Sequence, residues 1–185
     1  LIEVMTGILQ DKLYIEQLNE AISLSEKTET GKYAPFFSLS NIKGEKITRS
    51  SEDFKKKNLL INFWASWGDS ISNHQSNTEL KEIYQKYKKN KHIAMLGISL
   101  DMDKQEWQDA IKRDTLNWEQ VCDFGGLNSE VAKQYAIKEV PSNILLSADG
   151  KILAKNLKGE QLKKKIEEVV TAAEEKEKQD NKKKK

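Results

Sequence analysis

Thiol groups are nearly absent from this chain: of 185 residues, one is a cysteine, Cys122. A single cysteine excludes an intramolecular disulfide, a Cys-x-x-Cys pair and a Cys-rich zinc site. Histidine is as scarce, with only His74 and His92. Structural zinc usually takes four Cys or His ligands, and the three such residues here are far apart, so neither a metal nor any other cofactor is expected. Proline appears twice, as Pro35 and Pro141. No run reaches the ~18 apolar residues that suggest a membrane span. Excess charge is missing too. The chain has 31 basic and 29 acidic residues, and the segment 174–185 holds six Lys against four acids, which leaves 25 of each sign in the rest. A body without cationic excess argues against a nucleic-acid partner. The chain starts at Leu1 rather than Met, which reads as a processed or truncated product whose signal peptide was removed or lies outside it.

What is present is a polar surface around a modest core: 32% charged and 37% hydrophobic residues, with mean hydropathy −0.72. At this length one domain is expected, with appendages. Residues 1–27 repeat Ile2, Met5, Leu9, Leu13, Leu18 and Ile22 at helical spacing. Residues 28–32 read as a linker with Gly31 as a stop signal, and residues 1–31 as an N-terminal helical extension and linker. A short hairpin is expected over 36–48. The apolar run Leu59–Ala65 suits a buried central strand, followed by a helix over 69–89 and a second buried strand over 93–100. A helix over 104–113, a strand over 119–122 and a helix over 127–135 come next. Asp149-Gly150 marks a hairpin turn between 143–146 and 152–154, and a helix over 160–173 closes the fold. Strands alternating with helices argue α/β, and the last hairpin makes the sheet mixed. Residues 174–185 are charge-dense, lack apolar anchors and read as a disordered tail.

The segment Phe63-Trp64-Ala65-Ser66-Trp67, with its approach strand, resembles the redoxin (AhpC/TSA) branch of the thioredoxin-like superfamily, with its TlpA- and ResA-type thiol–disulfide oxidoreductases. Four further pieces fit in order: the lead-in at 32–39, the helix pattern Glu79, Leu80, Ile83, Tyr84 and Tyr87, the loop 135–142, and the hairpin at 145–152. The resemblance covers about residues 32–170. It implies a thioredoxin-like mixed sheet flanked by helices in a domain over 32–173, a cis bond at Val140-Pro141, and a bacterial periplasmic or cell-envelope location. Any membrane contact would come through an anchor outside this chain.

The resemblance breaks where its chemistry lies. Family members place Trp-Cys-x-x-Cys after this strand, whereas here Trp67 is followed by Gly68, Asp69, Ser70 and Ile71. The first family thiol sits at a helix amino terminus, which favours its reactive thiolate, and the second resolves the mixed disulfide. Gly68 and Ile71 can do neither. Asp69 and Ser70 suit helix capping, and Asp69 would place a fixed negative charge near the helix start. A groove between Trp67, Ser70, Val140 and Pro141 would bind an extended peptide by strand addition. The expected function is therefore a redox-inactive module for a protein or peptide partner, without catalytic residues. Two alternatives stand beside it: a thiol–disulfide or antioxidant-type enzyme using Cys122 or a partner's thiol, and a structural domain of a larger envelope protein. Cys122 itself reads as a small core residue. Phe63 and Trp64 read as core, Trp107 and Trp118 as packing around the 104–113 helix, and His74 and His92 as surface residues. Lys86–Lys91 reads as a solvated helix end, and Lys182–Lys185 as a solubilising tail.

Overall fold

A computed structural model describes residues 2–67 and 70–183, with the side chains of 2–11, 21 and 70–74 outside the description. The strands are β1 (Ser38–Asn41), β2 (Lys46–Thr48), β3 (Asn58–Trp64), β4 (Ile93–Ser99), β5 (Glu119–Cys122), β6 (Ser142–Leu146) and β7 (Ile152–Lys155). They form one seven-stranded sheet in the order β2-β1-β5-β4-β3-β6-β7. β3, β4 and β5 run parallel, and the outer pairings are antiparallel. Every residue of β3 is buried, as expected for a central strand covered on both faces.

The helices are α1 (Ile2–Lys27), α2 (Ser70–Tyr87), α3 (Lys104–Arg113), α4 (Glu130–Gln134) and α5 (Gly159–Lys183). One face of the sheet packs α2, α3 and α5 through Leu80, Ile83, Trp107, Leu162 and Ile166. The other face packs Phe37, Phe54, Val131 and Tyr135. α3 starts at Asp103, whose carboxylate accepts from the N–H groups of Gln105 at 2.8 Å and Glu106 at 2.9 Å. This satisfies two amides that a helix start leaves open. The β6–β7 turn uses Gly150 at φ +93°, a conformation that favours glycine.

Several expectations change. The chain expected as one helix over 127–135 is a 3-10 turn at Gly126–Asn128 followed by α4. α5 does not end near residue 173, and residues 174–183 are helical rather than disordered. Glu174 accepts from Asn90 Nδ2 at 3.3 Å, Glu177 pairs with Lys91 at 2.7 Å, and its other carboxylate oxygen lies 3.2 Å from His92 Nε2. Partners outside the segment supply the anchors it lacks in sequence. His92 is thus half-enclosed against α5, with 15% side-chain exposure, rather than a plain surface residue. The linker is also tied down: Gly31 N–H donates to Ile152, and Ala34 N–H to Gly150. Trp118 shares a core cluster with Trp107 and Ala110 of α3, as expected, and also packs on Tyr84 of α2, with ring centroids 5.7 Å apart.

Candidate functional site

β3 delivers the turn that carries Trp67. Its final hydrogen bonds run to β4 and beyond, with Leu100 N–H donating to Trp64 O at 2.8 Å. The following turn is held by Asp101, which is fully buried. One Asp101 carboxylate oxygen accepts from Ser66 N–H at 2.9 Å and from Ser66 Oγ at 2.6 Å. The other accepts from Ser99 Oγ at 2.6 Å. A buried carboxylate is tolerated only when such donors replace water. This brace was not singled out in the sequence. Its visible signal was an Asp just past the apolar strand at 93–100, but only the parallel pairing of β3 with β4 brings it to Ser66.

Trp67 projects into solvent, with 50% of its surface exposed. Gly68 and Asp69 lie outside the described residues, so the capping and charge expected of Asp69 are not tested. Ser70 and Ile71 begin α2, with their side chains outside the description, as is that of His74. The Val140-Pro141 peptide bond is cis. Register places this bend beside the turn: Phe63 pairs with Ser142, the residue after Pro141, in the antiparallel β3–β6 ladder. Val140 forms no main-chain hydrogen bond among the described residues. Beside Pro141 a depression of about 260 Å³ opens between α2 and the start of α5, lined in part by Ser76, Glu79, Leu157 and Gly159. One carboxylate oxygen of Glu79 is buried there without a hydrogen-bond partner among the described residues.

Cys122 ends β5 opposite Ser99 and is 2% exposed. Its Sγ donates to Asp101 O at 3.5 Å and accepts from Phe124 N–H at 3.3 Å. Burial pushes the thiol from 9.0 up to about 11. A thiol held protonated is a poor nucleophile, and β4 separates it from the motif strand. Phe63 and Trp64 are core residues, at 0% and 3% exposure. Among the described residues no group of three His, Cys, Asp or Glu side chains is arranged to hold a metal ion.

A strand, an exposed tryptophan turn, a helix starting at Ser70 and a cis-proline bend in adjoining register form one architecture. A family model described as Thioredoxin-like matches residues 55–152, more than half of the chain. The chain belongs to the thioredoxin-like family. Among its relatives, this thioredoxin-like chain is 32% identical to the thiol-disulfide oxidoreductase ResA of Bacillus cereus, over 79% of each chain. A solved domain from Bacteroides thetaiotaomicron, assigned as the C-terminal domain of a thiol-disulfide oxidoreductase, is 78% identical. It matches with a TM-score of 0.78 over 79% of this chain and 99% of its own. A thiol-disulfide oxidoreductase from Bacteroides fragilis is 59% identical, with a TM-score of 0.72 over 75% of this chain and 99% of its own. The thioredoxin-like chain is thus of the redoxin branch, similar to ResA-type proteins.

Proposed function

We propose that this thioredoxin-like chain is a redox-inactive module that binds an extended segment of a protein partner in the groove formed by Trp67, Ser70, Val140 and Pro141. The observation that carries the reading is chemical. Both positions where the family places sulfur are Gly68 and Ile71. Dithiol exchange needs an attacking thiolate and a resolving thiol, and the remaining thiol is buried and held protonated. The binding half rests on the unpaired Val140 main chain, which suits addition of a strand, and on the depression beside Pro141. Membership of a family of oxidoreductases favours a second reading, in which Cys122 or a partner's thiol does the chemistry.

Insulin reduction separates the two. The intact chain should show no reductase activity above the dithiothreitol background, and Cys122→Ser should leave that result unchanged. Turnover abolished by Cys122→Ser would establish the enzyme reading instead. For location we propose the periplasm or envelope of a bacterial cell, supported by the likeness to ResA-type proteins. Recovery in the cytosolic fraction of its native host would oppose this.

A further inference from the structure

The opposite pole of the sheet holds a second cavity. β3, β4 and β5 run parallel, so their amino ends gather there, away from Trp67 and Pro141. β4 pairs with β3 along its full length, from Ile93 opposite Asn58 to Ser99 opposite Trp64. Its pairing with β5 begins only at Leu96, opposite Glu119. Ile93, Ala94 and Met95 therefore have ladder partners on β3 alone. Among the described residues no loop main chain bonds to these three in place of β5. The notch opens into a cavity of about 290 Å³, close to the lower end of the ~300–1,000 Å³ typical of small-molecule sites.

Three features restrict the occupant. Neighbouring residues of a strand turn their main-chain groups to opposite edges, and the bond from Asn58 N–H to His92 O sets Ala94 towards β3. The groups left facing the notch are the N–H and C=O of Ile93 and the N–H of Met95, which need partners when water is displaced. Its complement is a donor and an acceptor side by side. One wall is aromatic: Tyr84 and Trp118 line the cavity, their rings tilted by 49° at 5.7 Å. Such a wall favours a flat ring. The charged lining cancels, with Asp53 and Glu119 against Lys57 and Lys88, so an ion of either sign gains little. We propose that the cavity binds an uncharged, planar heteroaromatic molecule of nucleobase size, stacked on the Tyr84–Trp118 wall and hydrogen-bonded to the main chain of Ile93 and the N–H of Met95 on the β4 edge. The site is independent of the Pro141 groove.

The test is a titration of adenine into the ¹⁵N-labelled full chain, followed by amide shifts. Adenine should move the Ile93 and Met95 signals saturably. Naphthalene, similarly flat but without hydrogen-bonding atoms, should bind at least about tenfold more weakly, a difference of about 1.4 kcal/mol. Tyr84→Leu should weaken adenine by a similar factor. The comparison of the two probes on the unaltered chain stands even should that variant unfold. Absence of saturable shifts, shifts confined to other residues, or naphthalene binding as tightly as adenine would each overturn the proposal.

Discussion

At the residue scale, single groups act here through what surrounds them. Cys122 holds its proton more tightly folded than unfolded, because burial disfavours the thiolate. Its contribution to stability is full below pH 9 and is lost as pH rises towards about 11, by roughly 2–3 kcal/mol. Urea unfolding across that range should show the loss, and Cys122→Ala should flatten it. At pH 8, alkylation of the native thiol by iodoacetamide should be about a hundredfold slower than in denaturant. Gly97 is a second case. It lies between Gln120 and Asn62 in one cross-strand row, and Gln120 reaches Trp64 Nε1 at 3.0 Å, accepting its hydrogen. A Cβ on Gly97 would stand 1.9 Å from Gln120 Oε1. Gly97→Ala should destabilise the fold by about 1–3 kcal/mol. Removing the Gln120 side chain in the same variant should relieve part of the loss, measured as a double-mutant cycle. Asp101→Asn should lose more than a surface change, about 2 kcal/mol, since Ser66 N–H and two serine hydroxyls donate to its carboxylate.

At the element scale, the helices divide by what they pack against. α5 buries Leu162, Ile166 and Val170 in the core, and its distal part adds Lys91–Glu177 at the surface. Exposed pairs are worth about 0–1 kcal/mol. Truncation after Ala173 should therefore move the unfolding free energy by less than about 1 kcal/mol. Among the described residues α1 adds no side chain to either core, with Leu13, Tyr14, Ile15, Leu18 and Ile22 between 47% and 66% exposed. A helix without tertiary packing is marginal in water. Deleting residues 1–27 should leave the cooperative unfolding of the remainder intact by calorimetry. Arg49 joins elements instead of packing them. It donates to Phe54 O at 2.5 Å, Lys57 O at 2.7 Å, Ser147 O at 3.2 Å and Ala148 O at 3.0 Å. One cation thus ties the segment before β3 to the β6–β7 turn.

At the scale of the whole molecule, a scaffold shared with oxidoreductases carries a single thiol, at Cys122, and on the reading proposed above lacks their nucleophiles. Placing sulfur back with Gly68→Cys/Ile71→Cys should confer insulin reduction, because the strand, the helix start and the Val140-Pro141 bend still adjoin. A folded double variant without activity would show that the family's active-site geometry has been lost here. Much of this was legible along the chain. The apolar run at 59–65, Asp149-Gly150 and the pattern of α3 each state a local preference, so those elements sit within a residue or two of expectation. The missing thiols were equally plain, since covalent chemistry depends on which atoms exist. Other features needed the folded chain. Asp101 meets Ser66, Gln120 crosses Gly97, and Glu177 meets His92 only because strand register and helix docking bring distant residues together. The β4 notch exists because β5 starts its pairing three residues late. Identity and local pattern are properties of the covalent chain. Proximity across strands, burial and the proton affinity of Cys122 are properties of its surroundings, and those form only when the sheet closes.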